Sequence, residues 1–444
     1  MDGIFSNFQE YALIAVGGFF RETWWLILFF VSFWFARTSI LAWRQRRFEH
    51  HTAWTFYEMK MPREIMKNPR GMDQILQSIA GLRNAPSDFQ EKYGDGEVSR
   101  FFTMEMVSFS GEIHFYMRVY KKQKSLFEAA FFSNYPDVEL IESPDYMSQL
   151  PKNMEDIYAA GADIWGTEML LKKSPLYPIR SYLTFESPEE TQQFDPMSGF
   201  LELLGKVKQG EFLGIQYNVA PHLRDWGTDH SLMSELAELK KPKQMDRAGA
   251  DEFGFPMTIP RSPGETDVIK AIEANLAKPA YKCVIRFLYI SPKTIYYDSF
   301  ARRGVLSAFN QYSTAELNTF YGNPKMISKT KSSISPYIFP KLRGKLKAQR
   351  LFNYYKTREF ETEVGMGTLM NSHPFNWANH SKPIILNTES LATLFHPPMG
   401  IVLTAPHTKR VESRKVGPSA GLPIYGDEKE LDRFIKEEEI KETT

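Results

Sequence analysis

Residues Trp24–Ala36 read WWLILFFVSFWFA, an uncharged run of large apolar side chains, and Arg37, Arg44, Arg46 and Arg47 follow it closely. A bilayer core needs about twenty predominantly apolar residues in helical form. The stretch 23–43, interrupted only by Arg37, reaches that length. Arg37 falls near one end, where a long side chain can carry its charge out to the headgroups. Trp24, Trp25 and Trp43 stand where interfacial aromatics belong, with Phe29, Phe30 and Trp34 between them. The basic residues cluster C-terminal to the run, whereas the other flank carries Asp2, Glu10, Arg21 and Glu22. The positive-inside rule then places residues 1–22 outside an inner (cell) membrane and the remaining ~400 residues in the cytoplasm. The expectation is a single-pass anchor, residues 23–43, with the lipid bilayer as its first partner.

Two other readings account for such a run. A signal peptide carries its basic residues before the apolar stretch and a small-residue cleavage site after it; here the order is reversed and the segment ends in RQRRFEHH. A core helix of a soluble protein seldom holds so many large aromatics unbroken. The preceding stretch 4–20 is apolar as well, and either lies on the outer leaflet or meets a partner.

The full chain has 444 residues, enough for two or three domains beyond an anchor. Its 54 basic and 53 acidic residues nearly cancel, so any polyanion-binding signal must be local. The single cysteine, Cys283, excludes an internal disulfide framework and lies in the apolar run YKCVIRFLYI, as a buried small hydrophobe would.

Beyond the anchor the pattern predicts an α+β fold. Trp54–Met61 is strand-like; Asn68-Pro69 opens a helix with Met72, Ile75, Leu76, Ile79 and Leu82 at helical spacing. Phe101–Phe109 and Ile113–Tyr120, joined by Ser110-Gly111, read as a hairpin. It places His114, Tyr116, Arg118 and Tyr120 on one face. A helix through Leu126, Phe127, Ala130 and Phe131 and a strand over Asp137–Glu142 complete a βαββαβ unit within residues 44–150, the order of a ferredoxin-like domain. A second such unit is expected over 175–323: a strand at Ile179–Glu186, a helix opened by Asp195-Pro196, a strand at Phe212–Val219, an insertion at 221–263, a helix bearing Val268–Leu276, a strand at Tyr281–Ile290, a helix capped by Asp298 and a last strand at Leu317–Tyr321.

Residues 324–424 form a basic connector and C-terminal region, and 425–444 an acidic tail. Asn323–Arg358 carries no acidic residue, and Lys341, Arg343, Lys345, Lys347, Arg350, Lys356 and Arg358 interleave with aromatics. These seven are the candidate polyanion-binding set, able to meet phosphates while the rings stack bases. The alternatives are a solvated helical linker or a segment resting on anionic lipid. No G-x-x-x-x-G-K-[ST], G-x-S-x-G or H-E-x-x-H occurs, His50-His51 lack ligands at metal spacing, and His373, His380, His396 and His407 lack clear partners. No catalytic, metal or cofactor residue is assigned, and the chain is read as a non-enzyme.

Several stretches in order resemble one family. MPREIMKNPRGMDQIL, FTMEMVSFSGEIHFYMRVYKK, EAAFFSNYPDVELIE, YPIRSYLTFE, DPMSGFLELLGKVKQGEFLGIQYNVAP, LNTESLATLFHPP and TAPHTKRVESRKVGPSAGLPI are similar to the membrane-anchored region of type IV secretion-like or conjugative DNA-transfer proteins of candidate-phylum bacteria. In that family a HerA/FtsK-type ATPase commonly follows; here Gly421-Leu422-Pro423-Ile424 leads into the acidic tail. The resemblance implies a scaffold or docking subunit working with a separately encoded ATPase, with a homo-oligomeric ring and contact to DNA as further expectations. The rival is a membrane-tethered nucleic-acid binder acting without a motor.

Overall fold

The central strands of this chain are eight to thirteen residues long and largely apolar, and helices flank them. The computed structural model describes residues 2–61, 69–82, 88–185, 194–222, 226–241, 243–244, 258–259, 261–328, 339–360 and 381–398, with backbone alone for 2–20, 50, 243–244, 258–259 and 298. Asn68, His373, His380, His407, the basic residues at 329–338 and the acidic tail lie outside them. In chain order the elements are α1 (Asp2–His51), β1 (Trp54–Lys60), α2 (Arg70–Ala80), β2 (Phe102–Phe109), β3 (Glu112–Tyr120), α3 (Lys124–Asn134), β4 (Glu139–Glu142), α4 (Met154–Ala159), β5 (Ala162–Leu171), α5 (Ser198–Gly205), β6 (Phe212–Pro221), α6 (His230–Lys240), β7 (Lys243–Gln244), β8 (Thr258–Ile259), α7 (Pro263–Leu276), β9 (Ala280–Pro292), α8 (Asp298–Asn310), β10 (Phe320–Gly322), α9 (Pro340–Thr357), β11 (Ile384–Asn387) and α10 (Thr388–Leu394).

Nine strands form one antiparallel sheet, ordered β10-β5-β9-β6-β2-β3-β1-β4, with β11 extending the β5 side of β9. The first four strands lie as β4-β1-β3-β2. Strands β5, β6, β9 and β10 lie as β10-β5-β9-β6, the same fourth-first-third-second permutation. The two sets meet at their second strands, β2 against β6, from Phe102↔Val219 to Phe109↔Phe212. The seam therefore relates the halves by an approximate two-fold, and the sheet runs through it unbroken. Local chemistry sets the joints. Ser110 and Gly111 both take positive φ, as a two-residue hairpin turn demands. Ser262 and Glu265 make a reciprocal capping box with Pro263 at the first turn of α7.

Helices α2, α3, α5, α8 and α10 cover one face over Met59, Met104, Met117, Ile215, Cys283 and Phe287. Helices α4 and α9 cover the other over Phe56, Tyr116, Phe212 and Leu288. Central strands are consequently buried on both faces, β2 and β6 almost along their whole length. Burial pushes the Cys283 thiol well above its ordinary value, as suits an inert core side chain.

Two expectations are corrected. Over the described residues 179–185 no strand forms where Ile179–Glu186 was assigned: Tyr182–Thr184 is a short 3₁₀ turn, and the buried side chains, Ile179 and Tyr182, are three apart rather than alternating. The strand position is taken by β5, whose Asp163, Thr167 and Glu168 break its apolar run. The described elements of the region read as a connector also belong to the body: α9 lies on the sheet, β11 pairs with β9, and α10 packs against α2, where Lys278 bridges Asp73 of α2 (2.8 Å) and Glu389 of α10 (2.7 Å).

Candidate functional site: a buried polar row beneath the basic helix

One polar or charged side chain from each of six strands forms a row across the seam. The register aligns Glu58 (β1), Tyr116 (β3), Glu105 (β2), Gln216 (β6), Arg286 (β9) and Glu168 (β5) on one face. Glu105, Gln216, Arg286 and Glu168 are essentially inaccessible. A buried charge survives only when paired and hydrogen-bonded, and each here has its partners. Arg286 donates from Nε and Nη2 to Glu168 Oε1 (3.0 and 2.8 Å), from Nη1 to Gln216 Oε1 (3.2 Å), and from Nη2 to Ser381 Oγ (3.0 Å).

The row also receives the end of α9. Arg286 donates to the carbonyls of Tyr354 (2.9 Å) and Glu359 (3.0 Å), Gln216 Nε2 to that of Tyr355 (3.1 Å), and Asn218 Nδ2 to that of Arg358 (3.1 Å). The last carbonyls of a helix have no partner within it and carry negative partial charge, so a cation and two amides beneath them complete the end. Further up the helix, Leu351 and Tyr355 lie four apart and sit over Gly166 and Gly214. A Cβ on Gly166 would come within 2.9 Å of Leu351 Cδ2, and one on Gly214 would overlap the Tyr355 hydroxyl. The two glycines make the holes into which α9 packs.

Arg358, in the left-handed conformation at the end of α9, turns back into the row. It donates from Nε to Glu105 Oε1 (2.5 Å) and grips Asp145 with Nη1 and Nη2 (2.6 and 2.8 Å). Burial opposes its charge, yet Glu105 and Asp145 outweigh that and hold the guanidinium above its ordinary value. Tyr146 donates to Glu105 and shares a hydrogen bond with Tyr355 (2.9 Å). At the β1 end of the row, a hydrogen bond from His114, assisted by Lys60, brings Glu58 down to about 2.

The candidate polyanion residues therefore divide. Arg358 is committed to Glu105 and Asp145, and Lys356 Nζ donates to the carbonyls of Pro151 (2.9 Å) and Lys152 (3.3 Å). Lys341 and Lys345 are exposed, and Arg343, Lys347 and Arg350 half-buried on the N-terminal two-thirds of α9. Burial, then the nearby Arg343 charge, lowers the Lys347 ammonium. Arg358 is thus removed from that set because the buried Glu105 and the part-exposed Asp145 claim it.

The apolar segment of α1 behaves differently. Within Arg21–Glu49, 29 residues long and apolar enough to cross a membrane, Trp24, Trp25, Phe29, Phe30, Trp34 and Trp43 are each more than half exposed. Its basic end is fastened to the body. Arg37 Nη2 donates to Tyr93 Oη (2.7 Å), Arg44 Nη1 donates to the carbonyls of Tyr93 and Gly94, and Ala42 and Gln45 are buried. Tyr93 belongs to a π-helical turn, Gln90–Asp95, closed by Gly96 at positive φ; a Cβ there would lie 2.6 Å from the Arg44 backbone. Arg44 thus serves that turn, whereas Arg47 is exposed, its guanidinium 5.6 Å from the Trp43 ring, and Arg46 is half-buried. Phe89 leads the turn, 79% exposed and 4.7 Å from the Tyr93 ring.

Among the described residues no three His, Cys, Asp or Glu side chains are grouped to hold a metal. His396, a candidate with no partner evident in sequence, is buried between Asp195 (3.2 Å) and the Ala392 carbonyl (2.8 Å). The row itself was missed in sequence, although its signal is visible there: a charge flanked by apolar residues inside each run, Glu105 in FTMEMVSF, Arg286 in YKCVIRFLYI and Glu168 in ADIWGTEMLL. Chemically it is a closed clamp, its charges spent on one another and on α9.

Residues 47–335, more than half of the chain, match the family model described as "Domain of unknown function (DUF8128)". The match begins at the end of α1 and stops short of α9. No curated protein matches the chain.

Proposed function

We propose, for a chain that belongs to the DUF8128 family, the role of a non-enzymatic docking platform held at the membrane by α1. One observation carries this reading: α1 presents an exposed aromatic surface long enough to span a bilayer, while its basic end is fastened to the body by Arg37, Arg44 and Tyr93. A tether needs only an anchor and a linker; a platform needs its body held at a fixed attitude to the membrane, and that fastening supplies it. The basic flank favours the body on the cytoplasmic side of an inner membrane. We read the body as two ferredoxin-like units, β1 to β4 with α2 and α3, and β5, β6, β9 and β10 with α5 and α8, fused through β2 and β6. The outermost strands of the sheet order, β4 and β10, are only four and three residues long, the form natural edges take to avoid uncontrolled pairing. Partners would therefore dock on helices and loops.

The resemblance to conjugative and type IV secretion-like proteins supplies the machine: a DNA-transfer or secretion apparatus whose HerA/FtsK-type ATPase is a separate chain. The test is purification of the full chain from its own membranes in mild detergent, with mass spectrometry of what accompanies it. A P-loop ATPase in stoichiometric amount is the expected result; the protein alone, or with nucleic acid and no ATPase, overturns the reading. The exposed Lys341 and Lys345 favour the rival, a tethered nucleic-acid binder. It requires DNA binding that falls steeply with salt and is lost in a Lys341→Glu, Lys345→Glu variant.

A further inference from the structure

At the foot of α1 lies a cation that forms no ion pair among the described residues. Arg118 of β3 stacks over Trp54 (4.1 Å to the ring centre) and over Phe101 (5.3 Å). Its Nε is buried without a hydrogen-bond partner among the described residues, and no carboxylate there lies within ion-pair distance. Glu105, Asp145 and Glu49 favour its charge, but Glu105 and Asp145 are gripped by Arg358, and Glu142, which lines the same cleft, is paired with Lys124. Burial, and then the like charge of Arg358, pull the Arg118 guanidinium down to about 9. It lines a cleft of about 500 Å³ together with Trp54, Thr55, Lys121, Ser143, Glu142 and Asp145. Lys121 is exposed there, and its main-chain N–H is fixed to the Ala53 carbonyl (3.0 Å). Only Thr52 and Ala53 separate this cleft from the end of α1.

We propose that this cleft is a binding site for an anion of the phosphate class, held by the planar Arg118 guanidinium against Trp54 and by the Lys121 ammonium at the mouth. Stacking fixes the plane of a guanidinium and leaves its N–H edge to meet phosphate oxygens. The two sources of such an anion at this position are a soluble phosphate and the headgroup of an acidic phospholipid. The second rests on the reading of α1 as a membrane anchor; the first does not.

The experiment uses the full chain in neutral detergent micelles and follows thermal stability against inorganic phosphate, short-chain phosphatidylglycerol and short-chain phosphatidylcholine. Saturable stabilisation by phosphatidylglycerol is expected, its apparent Kd raised at least about tenfold by Arg118→Gln, in keeping with the loss of a charged hydrogen bond. Lys121→Gln, at an exposed position that leaves the core untouched, is expected to weaken binding in the same direction. Stabilisation by inorganic phosphate as well assigns the site to soluble anions; stabilisation by phosphatidylglycerol alone assigns it to headgroups. An equal response to phosphatidylcholine, or a Kd unchanged in both variants, overturns the proposal. Because micelles contain no bilayer to span, failure of the anchor reading leaves this result standing and appears only in membrane fractionation.

Discussion

Arg286→Met destabilises the folded body by about 3–5 kcal/mol, the expected cost of removing one partner from a buried ion pair and leaving the other charge stranded. Arg286 is wholly buried, and its guanidinium satisfies Glu168, Gln216, Ser381 and the carbonyls of Tyr354 and Glu359. The methionine fills similar volume, so the loss comes from hydrogen bonds and charge rather than from a cavity. Equilibrium urea unfolding of the full chain measures it. The same variant frees the last carbonyls of α9, so amide exchange over residues 351–358 accelerates more than exchange in β2 or β3. Pairing it with Glu168→Met removes the stranded carboxylate, and the double variant is expected to lose less than the two single changes summed. A single-variant loss below about 1 kcal/mol would mean that the row is incidental to the seam.

Gly214→Ala is the second large effect. The added methyl would overlap the Tyr355 hydroxyl and sit 2.9 Å from Tyr355 Cζ, so the ring must leave the hole that seats α9. Tyr355 is fully buried and bonded to Tyr146, which itself donates to Glu105. Displacing it strains that network as well as the packing. Overpacking of this kind costs about 1–3 kcal/mol. Tyr355→Leu removes the obstructing ring end, and the combination is expected to be more stable than the sum of the separate losses predicts. An alanine tolerated without loss, measured by the same urea titration, would show that α9 does not depend on this hole.

Both predictions concern residues whose role the sequence concealed. Periodicity exposed what local chemistry decides: Ile75, Leu76 and Ile79 at helical spacing in α2, the Ser110-Gly111 turn, and the apolar alternation of β6 and β9. It failed where a distant partner alters what a residue is worth. Glu168 interrupts the apolar run of β5, which sequence left unassigned, and Arg286, 118 positions away, neutralises it. IRSYLTFE has strand-like composition, yet its buried side chains, Ile179 and Tyr182, stand three apart. The cations of α9 read as one polyanion-binding set, yet Arg358 is drawn inward by Glu105, 253 positions earlier in the chain. The apolar run of α1 was legible because its length and exposure depend on nothing outside itself. Its fastening to Tyr93 depends on a contact 56 positions away and was not.

The account turns on α1 being in the membrane. The most direct measurement is alkaline carbonate extraction of membranes from cells expressing the full chain, beside a variant lacking residues 1–51. The account predicts that the full chain stays in the membrane pellet through the wash while the shortened chain is recovered in the soluble fraction. Release of the full chain by carbonate would contradict it and leave the exposed aromatics of α1 to be covered by protein instead of lipid.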